Sequence, residues 1–125
     1  MKSRDNLVRL NQFHVNEKRR QLDQLETMMA EFTRKAAELE LQIESEEKKA
    51  NITDVDHFAY PTFAKAARVR RENLLTSQAE LKVQRDAAEA ALAEAEAELS
   101  RAEMLDAREA RSRPVETVDR RHMIG

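Results

Sequence analysis

One apolar position recurs every seven residues along the first part of the chain: Val8, Val15, Leu22, Met29, Ala36, Ile43 and Ala50. Leu25, Phe32 and Leu39 follow the middle members by three residues, so apolar side chains alternate at spacings of three and four from Leu22 to Ile43. A seven-residue repeat over two turns of a 3.6-residue helix keeps one stripe against a partner helix when the two supercoil left-handedly. The stripe weakens at its ends, where Asn11, Lys18 and Glu46 take inward positions. Neither glycine nor proline stands between Lys2 and Lys49. A first helix is therefore predicted over about 3–49, roughly 70 Å long at ~1.5 Å per residue.

The next stretch, NITDVDHFAYP, breaks that pattern. Asn51, Thr53, Asp54 and Asp56 have side chains that compete for backbone hydrogen bonds and favour turns and helix starts. Pro61 suits the first turn of a helix, where its missing N–H has no role. A second helix is predicted over about 61–112, with the corner at 50–60. Its inward stripe is Tyr60, Ala64, Ala67, Leu74, Leu81, Ala88, Leu92, Ala95, Leu99 and Ala102, interrupted by Arg71, Gln78 and Arg85. The run DAAEAALAEAEAE strongly favours helix. Pro114 disfavours helical backbone at Arg113, so residues 114–125 are expected to form a flexible tail. Two long helices joined by one corner leave a single domain over 1–113.

Charge sets the direction of the pair. Residues 1–20 hold six bases and two acids, a net of +4, and residues 80–109 hold nine acids and four bases, a net of −5. Residues 21–50 hold eight acids and four bases, a net of −4, whereas 64–75 hold four bases and one acid, a net of +3. Antiparallel packing lays +4 beside −5 and −4 beside +3. Each surface pair contributes only a few tenths of a kcal/mol, but their sum selects an orientation. The predicted fold is all-α, a long antiparallel two-helix coiled-coil hairpin, expected to be a monomer.

Composition narrows the function classes. Charged residues make up 37% of the chain, which suits helices with narrow apolar seams. The net charge of −2 argues against coating nucleic acid. No apolar run reaches the ~18 residues of a membrane span, and MKSRDNLVRL lacks the apolar region of a signal peptide. The only glycine is Gly125, so no glycine-rich loop can cradle a phosphate. His14, His57 and His122 form no helical metal pair, and there is no cysteine. No catalytic, cofactor-binding or metal-ligating residue is expected, and the chain is read as a non-enzymatic cytoplasmic protein.

The stretch HFAYPTFAKAARVRRENLL holds three of the five aromatic residues, Phe58, Tyr60 and Phe63, followed by Lys65, Arg68, Arg70 and Arg71. Two readings stand. The rings plug the corner, covering Ile52 and Val55; or one ring stays exposed beside the arginines and anchors a partner, as rings and arginines do at interfaces. Tyr60 is the expected anchor, because it enters the helix at Pro61 and its hydroxyl tolerates water. Arg71, eleven residues on, would extend that face toward an acidic partner. The candidate binding residues are thus Phe58, Tyr60, Phe63, Arg68 and Arg71. The basic stretch Lys18-Arg19-Arg20, with Arg4 and Arg9, is either neutralised by the acidic second helix or docks at an acidic surface.

The corner sequence, together with the opening MKSRDNLVRLNQFHVNEKRRQLDQLE, resembles the FliJ family of flagellar export proteins, in its alphaproteobacterial branch. The likeness is strongest over about 1–30 and 55–80. It implies an antiparallel two-helix coiled coil in the flagellar type III export apparatus, similar to the rotor stalk of F1-type ATPases. The implied partners are the flagellar export ATPase, the cytoplasmic domain of the export gate, and export chaperones. It also implies a place at the cytoplasmic face of the inner membrane, reached through those partners. Two other classes are weighed against it: a self-associating coiled-coil scaffold, and an RNA-binding helical arm whose basic stripe the acidic segments here interrupt.

Overall fold

The computed structural model describes residues 2–112, with side chains from Asp5 onward. Helix α1 spans Lys2–Ala50 and helix α2 spans Thr62–Ser112. The two pack against each other as a helical hairpin, with no strand among the described residues. The expected tail at 114–125 and the helix stop at Arg113-Pro114 lie outside the described residues. Helix α2 begins one residue later than predicted, because Pro61 caps it: the Pro61 carbonyl accepts the first helical bond from the Lys65 amide at 3.1 Å.

Helix α1 ends by a left-handed turn. Asn51 has φ of 56°, its N–H donates to the Lys48 carbonyl, and the Ile52 N–H reaches back to the Glu47 carbonyl, both at 3.2 Å. These two bonds satisfy carbonyls that the helix end would leave open. Glycine usually takes this position. Asparagine is the next best choice, since its short polar side chain tolerates positive φ, and the chain has no glycine before residue 125.

The seam follows the sequence pattern closely. On α1, Val15, Ala36 and Ile43 are buried, and Val8, Leu22, Leu25, Met29, Phe32 and Leu39 are half-buried. Asn11, Lys18 and Glu46 keep their inward positions, also half-buried. Ala50 departs from the expectation and is exposed, because the chain leaves the seam at Asn51. On α2 the inward stripe runs unbroken from Ala64 to Ala102. Arg71, Gln78 and Arg85 occupy it, half-buried, like the apolar members around them.

The hairpin divides into two compact units. The first joins the residues up to Leu22 with those from Ala88 onward. Val15 and Ala102 are its buried members, and Arg19 meets Glu96 across the helices at 3.3 Å. The second unit runs Asp23–Ala87 and contains the corner. Its buried members are Ala36, Ile43, Tyr60, Ala64, Ala67 and Leu81. Ile43, 1% exposed, contributes about 2 kcal/mol by removal from water. Two polar members of the stripe reach α1 here, although the Arg71 Nε is buried without a hydrogen-bond partner. Gln78 donates to the Met29 carbonyl at 3.4 Å and to the Thr33 hydroxyl, and Arg71 pairs with Glu40. In the first unit a base on α1 meets an acid on α2, and in the second the signs reverse. That is the pattern the antiparallel charge argument requires. Among the described residues no helix is long and apolar enough to cross a membrane.

Candidate functional site

The corner is eleven residues, from Asn51 to Pro61, and short-range bonds hold it. Asp54 is its pivot: its carboxylate accepts the Asp56 N–H at 3.0 Å and its carbonyl accepts the His57 N–H at 3.1 Å. His57 continues the chain of turns. Its Nδ1 accepts the Ala59 N–H at 3.0 Å, and its carbonyl accepts the Tyr60 N–H, also at 3.0 Å. The ring that accepts at Nδ1 lies stacked on Phe58, centroids 4.8 Å apart and 21° from parallel.

The three rings of the corner separate sharply. Tyr60 is 8% exposed, Phe63 is 50% exposed and Phe58 is 97% exposed. The sequence expectation that Tyr60 is the exposed anchor is therefore overturned. Tyr60 lies four residues before Ala64 on the inward stripe of α2, and its hydroxyl is fully engaged. It donates to Glu47 Oε2 at 2.7 Å and accepts from Arg68 Nε at 2.8 Å. Arg68 Nη2 donates to the same carboxylate oxygen at 2.9 Å, and the guanidinium carbon lies 5.9 Å from the centre of the Tyr60 ring. The Tyr60 hydroxyl, and after it the Arg68 guanidinium, hold the Glu47 carboxyl below the usual carboxylate range, although desolvation opposes them. Tyr60 is the plug. Phe58 and Phe63 are the rings left exposed.

The arginines separate in the same way. Arg68 is committed to Glu47 and Tyr60. Arg71, expected to extend the outer face, sits at a seam position and is committed to Glu40. Arg70 alone of the three has no bonded partner among the described residues. It lines an open groove of about 470 Å³ whose floor is Leu39 and Leu74, with Lys35, Gln42 and Asn73 on the rim. Phe63, Arg70 and Ser77 are seven residues apart and so lie on one side of α2. Neither the groove nor the unpaired arginine was singled out by the sequence, which pointed to Arg68 and Arg71 instead of Arg70. The groove's components were seam leucines and the residues flanking them, identical in type to those that pack elsewhere.

No group of three histidine, cysteine, aspartate or glutamate side chains that could hold a metal ion occurs among the described residues. What the corner offers chemically is a surface with one fully exposed ring, Phe58, and one half-exposed ring, Phe63, at the start of α2. No family model, curated protein or solved structure matches the chain.

Proposed function

We propose that this protein is a non-enzymatic component of flagellar type III export. In this reading it is a coiled-coil element that couples the export ATPase to the cytoplasmic domain of the export gate and assists export chaperones. It would work in the cytoplasm, brought to the inner membrane by its partners. The resemblance over about 1–30 and 55–80 supports this, and so does the antiparallel hairpin. The single observation that carries it is Phe58. A ring held 97% exposed at a tightly bonded corner gains little for the fold, whereas aromatic side chains buried at an interface carry much of its binding energy.

The test uses the full chain and the purified cytoplasmic domain of an export gate. Phe58→Ala should keep its helicity and melting temperature and lose about thirtyfold in affinity, or about 2 kcal/mol. Equal affinity in the folded variant would remove Phe58 from the interface, and no binding by the natural chain would sink the gate assignment. A second reading, the self-associating scaffold, is favoured by one observation: Leu7, Leu10, Phe13, Met104 and Leu105 are all well exposed in the first unit. Sedimentation over a hundredfold range of concentration separates a single hairpin from an oligomer.

A further inference from the structure

We propose that the Tyr60 hydroxyl is a latch that holds the corner in the conformation presenting Phe58, which makes Tyr60, Glu47 and Arg68 positioning residues for a surface they do not form. The docking role of Phe58 rests on the function proposed above; the latch itself rests on geometry alone. Its three groups come from three elements: Glu47 from the last turn of α1, Tyr60 from the corner and Arg68 from the second turn of α2. Each touches the other two, at 2.7, 2.8 and 2.9 Å. Glu47 also grips the corner at both ends. Its backbone carbonyl accepts the Ile52 N–H at 3.2 Å, and its carboxylate accepts the Tyr60 hydroxyl. Residues 52–60 are thus a loop closed on a single residue, by its carbonyl at one end and its carboxylate at the other.

Within that loop the bonds are all local, spanning two or three residues. Bonds of that reach fix turns but do not fix where the loop sits on the helices. Phe58 has no described ring contact except His57, its own neighbour. The placement of Phe58 therefore depends on the closure at Tyr60. Ordering a loop before a partner arrives removes an entropic cost from binding. A hydroxyl remote from the interface can in this way set an affinity. A plain plug would need only the ring; phenylalanine would serve equally, and the hydroxyl would be idle.

The experiment is hydrogen exchange of the full chain, without any partner, in the natural protein and in Tyr60→Phe. The reporters are the amides of Asp56, His57, Ala59 and Tyr60, with those of residues 25–32 as an internal control. The latch predicts corner amides exchanging at least about fivefold faster in Tyr60→Phe, with control amides unchanged, the signature of a local opening. Unchanged corner rates in the folded variant would overturn it. Should Tyr60→Phe fail to fold, Arg68→Lys keeps the charge but cannot span both oxygens, and the same comparison decides. Tyr60 is the only tyrosine and there is no tryptophan, so its emission reports the latch without a label. It should rise when Glu47→Gln removes the quenching carboxylate, and an unchanged emission would count against the closed triangle. With the gate domain added, Tyr60→Phe should bind about fivefold more weakly than the natural chain although Phe58 is intact. Equal binding would overturn the positioning role, whereas failure of the natural chain to bind would overturn the docking reading and leave the exchange result standing.

Discussion

Three arginine–glutamate pairs cross between the helices among the described residues, and two of them differ in almost everything except their chemistry. Arg19 and Glu96 meet at 3.3 Å with both side chains about half exposed, 52% and 51%. Arg68 and Glu47 meet at 2.9 Å with exposures of 34% and 13%, and a tyrosine hydroxyl completes the set. Water screens the first pair and competes for both of its partners, so it contributes little. The second has lost most of that competition, and each group has more than one partner, which makes removal of any one costly. Ion pairing in this hairpin therefore has two jobs. Along the first unit it biases direction; at the corner it fixes position.

The comparison can be broken at the corner first. Tyr60→Ala should cost about 3 kcal/mol in urea unfolding, because it removes a buried ring and leaves Glu47 and Arg68 with fewer partners. Phe58→Ala, two residues away, should cost less than about 0.5 kcal/mol. Similar losses for the two would erase the distinction between plug and exposed ring. Phe32→Ala comes next, at about 2 kcal/mol, since that ring is only half-buried in the seam. A loss below about 0.5 kcal/mol would mean the seam is held by its alanines and Ile43 alone.

Acid offers a third probe. Glu47 has a folded pKa lowered from its ordinary 4.5, so the unfolded chain takes up its proton first as pH falls. The stability it contributes is present above about pH 4.5 and is lost as pH drops through the lower folded value. Glu31 is lowered in the same sense, mainly by its hydrogen bond to Arg34, and adds to the slope. Melting temperatures of the natural protein and Glu47→Gln between pH 3 and 7 should converge toward the acid end. Parallel curves would show that the corner carboxylate is not coupled to folding. The smallest effect is expected at the other pair: a double-mutant cycle on Arg19 and Glu96 should give about 0.3 kcal/mol, vanishing in 1 M salt. A coupling above about 1 kcal/mol would mean the two pairs are alike after all.

Much of the fold was legible because helix periodicity is a one-dimensional signal. The stripe from Val8 to Ile43 and the stripe from Ala64 to Ala102 are read off spacing, and the interrupting Arg71, Gln78 and Arg85 keep the same phase. The side chains of Arg71 and Gln78 are long enough to pass from a seam position to a polar partner on α1, and Arg85 bonds its neighbour Asp86. The candidate site was half legible. Three rings at a proline mark a corner with surplus aromatic area, but which ring turns inward depends on where a hydroxyl finds partners. Glu47 lies thirteen residues before Tyr60, on the far side of the corner, a separation at which no pattern rule applies. One clue was present: Tyr60 belongs to the stripe that continues through Ala64 and Ala67, and Phe58 and Phe63 do not.

The left-handed turn at Asn51 has a mechanical consequence. A glycine at a helix end relieves backbone strain and also supplies a swivel, because its two rotations are the least restricted of any residue. Here the swivel is missing: every residue from the start of α1 to the end of α2 carries a Cβ. A twist applied to one helix therefore meets an elbow whose every joint is stiffened by a side chain.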